Sequence, residues 1–203
     1  MQKLKKLFGE YNLTWPKLII FSVIIGVYAG LIKVPLALKD TSFQDIAVYL
    51  EWWFFFGIFI ISNCKTWHEA SAKTFVFFLI SQPLIYLVQV PFARLGWQLF
   101  MYYKRWAIAT VLTIPGAAIA FLFKKKNWLS AVILAVPSAY MAWGAVNYAY
   151  SCSLHFPLHL LSTISCVLMA ILFPLVLLDE KKHRIFNWAV FALAAAGCFF
   201  YYF

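Results

Sequence analysis

The stretch from Ile46 to Phe92 restricts what this chain can fold into more than any other. It opens with IAVYLEWWFFFGIFIIS, closes with TFVFFLISQPLIYLVQVPF, and carries the polar link NCKTWHEASAK between them. A helix needs about 20 apolar residues to cross ~30 Å of hydrocarbon, and each limb has close to that length. The link is too polar to lie in lipid, so the stretch reads as two antiparallel transmembrane helices joined by a solvated turn. Polar side chains on such helices are costly unless they face protein or water. Glu51 on the first limb, and Gln82, Tyr86 and Gln89 at i, i+4 and i+7 on the second, should therefore point into a bundle.

Composition supports lipid as the solvent of the whole chain. Of 203 residues, 65% are hydrophobic and 12% charged, against about 45–50% and ~25% in soluble domains. The net charge of +10 could serve nucleic acid. The basic residues, however, lie scattered in short loops, with no polar domain or basic motif to form a groove. Orientation in the membrane and contact with anionic lipid headgroups account for them more simply. Cys64, Cys152, Cys166 and Cys198 show neither CxxC spacing nor a histidine at zinc-site distance, and read as free thiols.

Taken in order, residues 1–14 place Leu4, Leu7, Phe8 and Tyr11 on one helical face and Lys3, Lys5 and Lys6 mostly on another. That is the pattern of a short interfacial helix. Spans follow at about 17–36, 46–63, 73–92, 106–123, 128–148, 155–178 and 185–203. The first resembles a signal-peptide core but is long and followed by others, so it reads as an uncleaved anchor. Gly26 and Gly30 form a GxxxG that lets another helix come close. Pro83, Pro91, Pro115 and Pro137 mark kinks or ends. The fold expected is all-α: one polytopic membrane domain of about seven spans. A three-plus-one-plus-three grouping fits that count, although no internal repeat is visible.

With the N-terminus inside, the inner segments hold twelve basic residues, including Lys124, Lys125, Lys126, Lys181, Lys182 and Arg184. The outer ones hold five: Lys33, Lys39, Arg94, Lys104 and Arg105. That asymmetry satisfies the positive-inside rule. It predicts a plasma-membrane protein with a cytoplasmic N-terminus, an external C-terminus and anionic lipid at its inner face.

Glu51, Gln89, Asn147, His155 and His159 then fall within about two turns of the outer edge. Arg94 and Arg105 lie just beyond it, while Gln82 sits deeper, with Tyr86 between. This set could line a vestibule for a small solute. Equally, Glu51 could pair with Arg94 or Arg105 and lock helix ends together. His155 and His159, four apart, would share a helix face and with Glu51 make a two-histidine, one-carboxylate set. But Pro157 interrupts them and no HExxH is present, so no metal is expected.

No GxSxG, Walker loop or paired aspartates occur, and neither catalysis nor a cofactor is indicated. In size and span count the chain is similar to the substrate-binding subunits of vitamin transporters driven by an energy-coupling module. That similarity implies solute capture from outside, though no motif accompanies it. Binding or transport of a small solute through an outward-open polar cavity is the leading expectation. A non-catalytic accessory subunit with a membrane partner comes next. Third is a membrane enzyme acting on lipid through Glu51 with His155 or His159.

Overall fold

The computed structural model describes residues 6–34, 41–46 and 49–202. These are 83% helical, without strands, and contain seven α-helices. They are α1 (Trp15–Leu31), α2 (Leu50–Ser62), α3 (Trp67–Gln89), α4 (Phe100–Ala120), α5 (Trp128–Leu154), α6 (Leu160–Leu177) and α7 (Lys181–Tyr202). Single 3-10 turns lie at Ser42–Asp45, Gly96–Leu99 and Phe121–Lys125. Five helices, α3 to α7, are long and apolar enough to cross a membrane; α1 and α2 are shorter. Successive helices run in alternate directions. One end of the bundle gathers Lys17, Lys65, Lys73 and Lys124–Lys126, and the other gathers Asp45, Glu51 and His159.

The helices group as α1, α3 and α4 on one side and α5, α6 and α7 on the other, with α2 between them. A three-one-three grouping is thus present, but the odd helix is the second rather than the fourth. α2 also starts later than the apolar pattern suggests. Its 13 residues span only about 20 Å at 1.5 Å per residue, short of a bilayer. Residues just before it are tied elsewhere: the Leu160 amide donates to Ser42 Oγ at 2.8 Å, Ser42 Oγ donates to the Pro157 carbonyl, and Asp45 meets His159. Helices α3, α4, α5 and α6 all pack on α2. A helix enclosed by protein has to match its neighbours rather than the thickness of the lipid.

The aromatic run on α2 is the cement of this arrangement. Trp53 and Phe56 are buried, with ring centroids 6.0 and 5.8 Å from Phe77 of α3. Phe55 stacks on Phe173 of α6 at 6.3 Å. Edge and offset pairs of this kind add to the burial itself.

On the opposite flank, α1 and α3 meet through glycine. A Cβ added to Gly26 would lie 2.7 Å from the Ser81 carbonyl oxygen, and one on Gly30 would lie 2.8 Å from Val88 Cβ. The GxxxG is spent inside the chain.

Two polar segments differ from their sequence reading. The link expected to be a solvated turn is mostly the first turns of α3. Thr66 Oγ1 accepts from the Glu69 amide, and Glu69 Oε2 accepts from the Lys65 amide at 2.7 Å. These reciprocal caps extend the helix back to Trp67. Lys73 is buried, donating to the Leu13 carbonyl at 2.5 Å and to Glu69 Oε1 at 2.6 Å. At the N-terminus, residues 1–5 of the expected interfacial helix lie outside the described residues. Beyond them, Phe8 turns inward to meet Phe55, Phe59 and Phe173, with centroids 5.7, 6.0 and 6.3 Å away. Asn63 holds the segment by donating to the Leu7 carbonyl and accepting from the Tyr11 amide.

Lys124 closes the C-terminus of α2, donating to the Ser62 and Cys64 carbonyls at 2.9 and 2.5 Å. A cation there meets the negative end of the helix dipole. Hydrogen bonds to charged groups contribute about 1.5–3 kcal/mol. Lys124→Ala should therefore lower stability by about 2 kcal/mol, or ~4–8 °C in melting temperature for a chain of this length. Lys125→Ala, at an exposed neighbour, should barely move it. Equal losses in thermal unfolding would deny Lys124 the capping role.

Candidate functional site

Polar side chains at the acidic end form two assemblies, one on each side of α2. The first is built on Glu51, in the first turn of α2 and 0% exposed. Ser162 Oγ of α6 donates to Glu51 Oε1 at 2.6 Å, and the Tyr148 hydroxyl of α5 donates to Oε2 at 3.4 Å. Among the described residues no lysine, arginine or histidine pairs with Glu51. The side chains that hold its carboxyl group are hydroxyls, and its own backbone amide adds to them.

One layer outward, His159 Nδ1 lies 3.1 Å from Asp45 Oδ1. Asp45 is buried, and its other oxygen, Oδ2, has no partner. Burial pushes the Asp45 carboxyl above the usual carboxylate range, against the pull of His159 and of the backbone amides of His159 and Ser162. Tyr49 joins the two layers, its ring 5.2 Å from both Tyr148 and His159, while Tyr148 and His159 lie 5.5 Å apart.

The second assembly is a cavity of about 60 Å³ lined by Ala29, Lys33, Trp53, Gln82, Ile85, Tyr86 and Trp106. It contains one cationic residue and no carboxylate. Gln82, on α3, is buried, and its amide nitrogen has no hydrogen-bond partner. Buried polar groups without partners are uncommon and call for an account. The space admits on the order of two waters, given ~30 Å³ for each.

Of the residues singled out by sequence, Glu51 and His159 fall in the first assembly, and Gln82 and Tyr86 in the second. Gln89 and Asn147 are half-buried and line neither, while His155, Arg94 and Arg105 are exposed. Neither arginine pairs with Glu51 among the described residues. The four-residue spacing of the histidines does not give them a common helix face. His155 ends α5, and His159 precedes α6 with a left-handed φ of 61°. The described residues hold no group of three or more His, Cys, Asp and Glu suited to a metal ion.

The sequence reading passed over Ser42, Asp45, Tyr49, Tyr148 and Ser162 in the first assembly, and Lys33 and Trp106 in the second. Asp45 had a signal of a kind: it stands in a polar link just before an apolar limb, where an acid can meet the N-terminus of another helix. The two serines and the tyrosines had none, since such residues are ordinary in membrane proteins. No family model, curated protein or solved structure matches the chain, so function has to be argued from this geometry.

Proposed function

We propose that the chain is a plasma-membrane protein of seven spans with a cytoplasmic N-terminus, and that it binds or transports a small solute at its outer end. The twelve-to-five asymmetry of basic residues supports this orientation. The short α2 crosses inside a collar of other helices. The observation that carries the solute reading is the buried, unpartnered amide nitrogen of Gln82 beside a cavity that also meets Lys33, Tyr86 and Trp106. A donor left unpaired in such surroundings costs about 1–3 kcal/mol. A small hydrogen-bond acceptor in the cavity would recover that cost, and Lys33 at its wall favours an acceptor that is neutral or anionic.

Melting temperatures of the purified protein with sodium formate, urea or ammonium chloride test this. Formate or urea should stabilise the wild type by about 2 °C or more, which a free concentration several times Kd would give. Gln82→Leu should abolish the shift, and ammonium should give none. A wild type indifferent to both acceptors would remove the reading.

One observation favours a non-catalytic subunit as the second reading. The apolar window of α7 is only 6% buried, and the helix ends in exposed Phe199, Phe200 and Tyr201. That surface is available to a membrane partner as well as to lipid.

A further inference from the structure

A cavity of about 340 Å³ lies between α2, α3, α4 and α5, apart from the Glu51 assembly. Small residues create it. Gly57 of α2 and Gly116 of α4 both line it, and a Cβ on either would meet nothing within 4 Å. Ala117 and Ala120 continue the wall along α4, and Pro137, inside α5, lines the opposite side. From Trp53 to Ile61 the cavity follows α2 for eight residues, about 12 Å along the helix axis.

No charged side chain lines it, and the hydroxyl side chains on its wall are those of Thr74 and Thr113. A dry apolar cavity of this size loses the dispersion contacts of its walls, and cavities of ~300 Å³ and above are those that hold ligands.

Two further observations say what fits. First, the rim is lipid-facing: Ile119 and Val136, which line the cavity, are 61% and 66% exposed. The space therefore opens sideways, where bilayer chains lie. Second, one hydrogen-bonding group on the wall is unpaired. Thr74 is 3% exposed and its Oγ1 has no partner, whereas Thr113 Oγ1 is satisfied by the Thr110 carbonyl. Thr74 follows Lys73, whose ammonium group is held by the Leu13 carbonyl and Glu69 at the lysine-rich end. That is the depth at which polar contacts give way to the apolar interior, where the ester groups of a lipid lie. Lys125 is exposed at the same end, where a headgroup phosphate would lie, and Lys126 beside it is paired with Asp179 at 2.8 Å.

We propose that this cavity takes one acyl chain of a bilayer phospholipid, with the Thr74 hydroxyl donating to its ester carbonyl. The chain would run from the lysine-rich end toward Trp53. A lipid held this way fills the space between the two halves of the bundle and is separate from the solute cavity, with Trp53 as the wall common to both.

Native mass spectrometry of the full chain, extracted from its own membrane in mild detergent, tests the proposal. Wild type should retain one phospholipid per chain. Gly116→Phe, which fills the cavity, should lose it. Thr74→Val, which keeps the shape and removes the hydroxyl, should retain it several-fold less. Gly197→Leu, on α7 where a Cβ also meets open space, should behave as wild type. Retention of no lipid, of a free fatty acid only, or of as much phospholipid in Thr74→Val and Gly116→Phe as in wild type would overturn the proposal. Should Gly116→Phe fail to fold, Thr74→Val and Gly57→Leu decide the matter by the same readout.

Discussion

Replacing Gly26 with leucine is expected to cost about 3 kcal/mol, the upper part of the range for overpacking a close-packed contact. The reason is what the new Cβ meets: the Ser81 carbonyl oxygen at 2.7 Å and Leu84 Cβ at 2.9 Å. Ser81 O belongs to the backbone of α3 and cannot swing aside. The two helices must part instead, and Ser22, Ala29 and Gly30 on the same buried face lose their contacts too. In a chain of this length the loss corresponds to ~6–12 °C in melting temperature. Gly57→Ala should go the other way, since its Cβ meets open space and alanine favours a helix by ~1 kcal/mol. Thermal unfolding of both variants in one detergent checks the pair. Equal behaviour of the two glycines would remove the close α1–α3 approach from the account.

A second large effect is expected at Glu51, and the replacement chosen should decide its size. Glu51→Leu strands the buried hydroxyl of Ser162 and takes from buried Tyr148 one of its partners, leaving it Tyr140. The unpaired group costs about 1–3 kcal/mol and the lost bond adds to it, so a loss of ~3 kcal/mol is expected. Glu51→Gln keeps an oxygen to accept from Ser162, and its new amide can donate to the Tyr148 oxygen. That variant should stay within ~1 kcal/mol of wild type. The contrast separates hydrogen bonding from charge. If glutamine costs as much as leucine in thermal unfolding, the carboxylate charge itself stabilises the site, and the hydroxyl account fails.

The fate of the two limbs around residue 65 shows how far hydrophobic pattern reaches. That both are helices, antiparallel and joined by a short polar link, follows from apolar length and from the cost of polar groups in lipid. So does the inward direction of Glu51 and Gln82, because no other direction leaves a buried carboxyl or amide affordable. The tight passage at Gly26 and Gly30 was legible as well, since only glycine permits it, although the partner helix was not. The positions of the helix ends were less accessible. α3 begins at Trp67 because Thr66, Lys65 and Glu69 cap one another, and local capping competes with hydropathy when a boundary is set.

What the sequence determined by itself is the kind of element: runs this long and apolar build helices able to cross a membrane, in which each backbone group finds its partner within the same segment. What only the tertiary structure decided is which side chains meet. Asp45 and His159 are 114 residues apart, Glu51 and Ser162 are 111 apart, and Gln82 shares its cavity with a lysine from α1's end and a tryptophan from α4. Helical periodicity places each of these on a face of its own helix. Which faces are brought together depends on how every helix packs at once, with α2 at the centre, and that is a property of all the close contacts jointly rather than of any one stretch.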